Sequence, residues 1–95
     1  MDEILHRLSE MFQALGNGVR LQILLRLQEG KANVTLLANY VNRSVKTVSH
    51  HMRVLRDNDL VESHTKGRKR FYWLKRPKLV RAVFALKEFL ERFED

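Results

Sequence analysis

The chain has 95 residues, no cysteine and a formal charge of +7. That length suits one domain, residues 1–95, with a modest core. The missing thiols rule out disulfides, thiolate metal sites, redox-sensing thiols and cysteine nucleophiles. No apolar run approaches the roughly 18 residues a membrane span needs. The acidic, amphipathic start MDEILHRLSE does not read as a signal peptide, so a cytoplasmic protein with no membrane partner is expected.

In chain order, residues 2–14 place Ile4, Leu5, Leu8, Met11, Phe12 and Leu15 on one helical stripe. Gly16-Asn17-Gly18 breaks it, and Asn17 suits an N-cap. Residues 19–28 carry Leu21, Ile23, Leu24, Leu25 and Leu27 around most of a helix, which marks it as the centre of the fold. Ala32-Asn33-Val34 has room only for a short edge strand. Thr35 reads as the cap of a short helix with Leu36, Leu37, Tyr40 and Val41 inward. Asn42-Arg43 form a turn, and Ser44 caps a helix over 45–57 with Val45, Val48, Met52 and Leu55 inward. Leu60–Thr65 and Lys69–Leu74 read as a hairpin around Lys66-Gly67-Arg68. Pro77 opens a last helix presenting Leu79, Val83, Leu86, Leu90 and Phe93, widened by Val80, Phe84 and Phe89.

This order, α-α-(β)-α-α-β-β-α, is mainly α with a small hairpin: a winged helix-turn-helix. In that class the second short helix fits a DNA major groove and the hairpin lies along the flanking backbone. The charge agrees. Residues 1–42 balance four basic against four acidic groups, whereas residues 43–87 hold thirteen basic and three acidic. Residues 88–95 are net acidic, through Glu88, Glu91, Glu94 and Asp95 against Arg92. A solvated basic surface is the bland alternative, but such a surface mixes both signs. The outer face of 45–57 does not where bases would be met: Lys46, Thr47, Ser49, His50 and Arg53, with Ser44 at its start, include no carboxylate, and Asp57 and Asp59 stand only at the far end. Such groups donate to guanine edges or phosphates. Lys66, Arg68, Lys69 and Arg70 crowd the hairpin tip and suit backbone contact, which positions a protein without specifying sequence. Phe71, Tyr72 and Trp73 could stack on bases. The alternation of Tyr72 and Leu74 favours packing instead, and leaves Trp73 unassigned.

The stretches Ala14-Leu15-Gly16-Asn17, Arg20-Leu21-Gln22-Ile23-Leu24 and Ser44-Val45-Lys46-Thr47-Val48-Ser49-His50-His51-Met52-Arg53-Val54-Leu55-Arg56, with Leu60-Val61 and Gly67-Arg68, resemble the ArsR/SmtB family of repressors. The resemblance covers about residues 10–75. It implies a homodimeric transcriptional regulator built through the first and last helices, an imperfect inverted-repeat operator in double-stranded DNA, and repression of its own promoter. The apolar content of helices 2–14 and 77–93 agrees independently, and Leu5, Leu8, Phe12, Leu79, Val83, Phe84, Leu86 and Leu90 are the expected interface.

The family pattern breaks at its sensors. Many relatives bind metals through cysteines at the start of the third helix, or through Asp and His pairs on the last. Here Lys31-Ala32-Asn33-Val34-Thr35 has neither Cys nor His, and the last helix has no His. Carboxylates alone suit transition metals poorly. Two adjacent histidines on a helix point about 100° apart, so His50 and His51 do not readily share an ion. His50 is expected at DNA and His51 to pack or cap locally. His64, in the hairpin, suits a phosphate or solvent contact. His6, one turn after Asp2 and near Glu3, is the one spacing that could hold a metal, against the commoner exposed ion pair. No metal and no cofactor are expected. A protein- or RNA-binding winged helix is the alternative function, but it calls for an apolar or mixed-sign outer face. No nucleophile–base pair, glycine-rich phosphate loop or metal cluster supports an enzyme.

Overall fold

The computed structural model describes residues 2–94; Asp95, one of the acidic terminal residues, lies outside them. Five helices and a small sheet follow in order: α1 Glu3–Leu15, α2 Gly18–Leu27, β1 Ala32–Asn33, α3 Val34–Val41, α4 Val45–Asp57, β2 Val61–Lys66, β3 Lys69–Leu74 and α5 Pro77–Glu91. The last helix therefore stops short of Phe93. The sheet is antiparallel with β3 in the middle, in the order β1-β3-β2.

Helix starts follow from side chains that satisfy orphan amides. Asp2 accepts from the Leu5 amide at 2.8 Å, Asn17 from Arg20 at 3.0 Å and Ser44 from Thr47 at 3.1 Å. Proline opens α5 without a side-chain cap. The cap of α3 is Asn33, which accepts from the Leu36 amide at 2.9 Å, and not Thr35. Asn33 ends β1 in extended backbone, so the helix begins as soon as its pairing with Phe71 is complete. The buried stripe of α3 is Leu37, Ala38 and Val41, with Val34 half-buried. Leu36 and Tyr40, expected inward, are 39% and 47% exposed. Asn42 then takes the left-handed conformation, φ 55°, that closes α3.

The core gathers around α2, whose Ile23, Leu24 and Leu27 are buried, as its apolar circumference predicts. Leu37, Val48, Met52, Leu55, Leu60, Val61 and Val80 complete its fully enclosed part. On α4 the buried stripe is Val48, His51, Met52 and Leu55. Val45, expected inward, sits in the first turn and is 46% exposed. At the hairpin tip Lys66 pairs with Lys69, leaving Gly67 and Arg68 as the two-residue turn. Gly67 has φ +65°, the first-position conformation that a tight hairpin turn requires.

Candidate nucleic-acid interface

With Val48, His51, Met52 and Leu55 turned into the core, the opposite side of α4 faces solvent. Lys46, Ser49, His50 and Arg53 are all exposed and recur at three- and four-residue spacing, so they share one stripe. Thr47 is exposed beside them, and Arg56 extends the stripe by a further turn. The spacing of Arg56 from Arg53 was available in the sequence as a signal for that extension.

The start of the stripe is internally hydrogen-bonded. The Ser44 hydroxyl donates to Thr47 Oγ1 at 3.0 Å while accepting from the Thr47 amide. Ser44 is thereby committed to the cap. Arg43, in the turn before, donates to the Val41 and Asn42 carbonyls at 3.4 and 3.0 Å.

Lys66, Arg68, Lys69 and Arg70 are exposed at the tip of the β2–β3 wing. Arg70 is drawn back along the hairpin, donating to Ser63 Oγ at 3.1 Å. Trp73 has a structural post: its indole N–H donates to Glu62 Oε2 at 3.1 Å, and Lys31 Nζ lies 4.8 Å from its ring centre. Tyr72 is buried, as the alternation predicts.

At the root of the wing, Asp59 holds φ 62° after α4. Its carboxylate pairs with Lys75 and, at 2.6 Å, with Arg76. Hydrogen bonds from Lys75 and then Arg76 hold that carboxyl below the usual carboxylate range. Asp59 thus joins the end of α4 to the turn before α5.

The terminal helices leave an apolar surface open. Leu5, Leu8 and Phe12 on α1 and Leu86, Phe89 and Leu90 on α5 are 43–62% exposed. Leu79, Val83 and Phe84 are half-buried against the core of their own chain. Between α1, α2 and α5 runs an open groove of about 640 Å³, lined among others by Phe12, Leu21, Leu25, Val83, Phe84, Leu86 and Leu90.

The histidine–carboxylate spacing near the N-terminus resolves differently from expectation. Asp2 is occupied by the helix cap, and His6 reaches forward to Glu10 at 2.6 Å rather than back to Asp2 or Glu3. Among the described residues, no three His, Asp or Glu groups converge as a metal site would need. None of the helices among the described residues is long and apolar enough to cross a membrane.

Helix-turn-helix α3–α4 followed by a basic hairpin defines a winged helix-turn-helix domain. Residues 17–63 match the profile of the bacterial regulatory proteins of the arsR family. An arsenical resistance operon repressor of Bacillus subtilis is 32% identical over 71 residues, 74% of this chain and 68% of that repressor. The cadmium resistance regulator CadC of Listeria innocua is 34% identical over 73 residues, 76% of this chain and 61% of CadC. The match to a longer regulator of Mycobacterium tuberculosis spans 30% of that protein. A homodimeric winged helix-turn-helix DNA-binding domain from Mycobacterium bovis superposes with a TM-score of 0.81 at 29% identity, covering 94% of this chain and 82% of its own. The chain belongs to the ArsR family of transcriptional regulators.

Proposed function

We propose that the chain is a homodimeric, sequence-specific repressor that reads double-stranded DNA through α4 and grips the backbone with its wing. The observation that carries this reading is the outward stripe of α4: Lys46, Ser49, His50 and Arg53, all exposed and free of carboxylates, on a helix whose other side is locked into the core. Lys46 and Arg53 supply charged donors suited to guanine O6 and N7, while Thr47 and Ser49 suit either base edges or phosphates. The basic wing tip supplies sequence-independent affinity. The exposed apolar faces of α1 and α5 support a two-fold partner, and a two-fold protein matches an inverted-repeat operator. The described M. bovis relative is itself homodimeric.

The reading includes metal independence. It rests on the absence of cysteine from the chain, of histidine from residues 31–35 and of histidine from α5. Calorimetric titration with zinc or nickel is expected to show no stoichiometric binding that weakens DNA affinity.

Selection of bound duplexes from a random pool at stated salt tests the function directly. An enriched two-fold symmetric site is the expected outcome. Enrichment of nothing beyond bulk sequence would favour a winged helix that serves another partner.

A further inference from the structure

The reading helix buries a histidine. His51 lies on the core side of α4 at 9% exposure, among Val48, Met52 and Leu55. Its partner is Arg20 at the start of α2, whose Nη1 stands 3.2 Å from His51 Nδ1. A guanidinium has only donors, so Nδ1 must be the bare, accepting nitrogen of a neutral ring.

Arg20 is itself fixed. Its Nε donates to the Ala14 carbonyl at 2.6 Å and its Nη2 to the Gln13 carbonyl at 3.3 Å. Both carbonyls belong to the last turn of α1, which carries no basic residue of its own. The guanidinium supplies the positive charge that a helix C-terminus favours. The Arg20 amide is held in turn by the Asn17 cap. One side chain therefore joins three helices. Among the described hydrogen bonds, Arg20 to His51 is the only one between α4 and the α1–α2 corner.

Resting on the reading of α4 as the DNA-contacting helix, we propose that Arg20 and His51 are positioning residues that form a proton-sensitive tie. Protonation of His51 releases α4 from the α1–α2 corner and lowers discrimination of cognate over random DNA. A proton on Nδ1 would set two donors and two positive charges 3.2 Å apart. Val48, Met52 and Leu55 still hold the helix to the core, so the expected change is in its pose rather than in the fold. The charged groups facing His51 are few. Arg20 comes from α2, Arg43 from the α3–α4 turn, and His50 from the neighbouring position with ring centres 5.9 Å apart. Burial opposes a positive ring most, and Arg20, His50 and Arg43 add to it. From α1, the paired His6 and Glu10 line the same recess as Arg20.

The test uses the duplex selected by the wild-type chain at about pH 8, and a random duplex, at one ionic strength. The ratio of the two affinities is followed down to about pH 5.5, where an ordinary histidine is charged. For the wild type the ratio is expected to fall about tenfold, within the usual range of coupling between two linked sites. His51→Gln keeps an acceptor for Arg20 and cannot titrate, so its ratio should stay level. His6→Gln should still fall. Arg20→Lys, which keeps the charge but loses the fork, should start with a lower ratio at pH 8. A second arm needs no DNA: nitrogen NMR should show a bare His51 Nδ1 at pH 8, with the Arg20 Nη1 protons losing protection as the ring titrates. A level wild-type ratio while His51 titrates overturns the proposal. So does a His51→Gln profile like the wild type, or a proton on Nδ1 at pH 8. If no duplex is enriched, the reading-helix assignment fails, and the NMR arm still decides whether the tie exists.

Discussion

Lys46 and Arg68 are both exposed cations, yet their settings differ. Lys46 stands on a helix fixed to the core, so its position is reproducible from one encounter to the next. Arg68 occupies a two-residue turn at the end of a hairpin. Lys46→Ala should therefore cost about 1–3 kcal/mol at one base pair and relax preference there. Arg68→Ala should weaken binding to all duplexes alike and lower the slope of log affinity against log salt by about one. Competition titrations at two salt concentrations separate these outcomes. Equal behaviour would mean that the helix does not read bases.

His51 carries a stability signature at the same scale. Burial, and then Arg20, push its imidazole below the ordinary 6.5. Above that value the ring is neutral whether folded or unfolded, and its contribution is fully present. As pH falls through 6.5 the unfolded chain takes the proton first, so stability is lost progressively toward the lower, folded value. The Tm of the wild type should decline in that window, and His51→Gln should decline less. In the sequence this residue was legible only as a histidine expected to pack or cap. Its partner Arg20 lies 31 positions away, and no local pattern joins them.

Among the elements, those defined by local chemistry were the legible ones. Ser44 and Asn17 cap because a short polar side chain precedes a helical stripe. The hairpin is legible because Gly67 sits between two β-rich runs. The start of α3 was not, since two residues could cap it and the choice depends on a strand pairing with β3. The face α3 packs inward, Leu37, Ala38 and Val41, also leaves Leu36 and Tyr40 outside the core. Asn33→Ala should thus cost about 1 kcal/mol in chemical denaturation. Thr35→Ala, inside the helix and exposed, should change little. Trp73 belongs here as well: its hydrogen bond to Glu62 and its contact with Lys31 come from the paired strand β2 and from the residue before β1, beyond the reach of alternation.

For the whole molecule, the division of α5 matters most. Val80 is fully buried and Leu79, Val83 and Phe84 lean on the core, while Leu86, Phe89 and Leu90 stay open. Periodicity indicated that the helix was apolar but not which residues the chain keeps for itself, because that depends on which of them reach the core built by the other elements. Leu90→Glu places a charge on the open part, at a side chain that is 62% exposed. Light scattering should give a dimer mass for the wild type at micromolar concentration and a monomer mass for this variant, with the circular dichroism of both alike. A monomeric wild type would remove the two-fold operator from the proposal.

The groove between α1, α2 and α5 has a consequence for dosage. On the dimer reading, each chain completes its neighbour's apolar surface, so pairing and folding stability are linked through mass action. Dilute chains would melt at lower temperature and be cleared sooner by proteases that act on opened protein. Supply would then govern occupancy more steeply than in simple proportion. A promoter under such control would stay open while few copies exist and close over a narrow range of abundance.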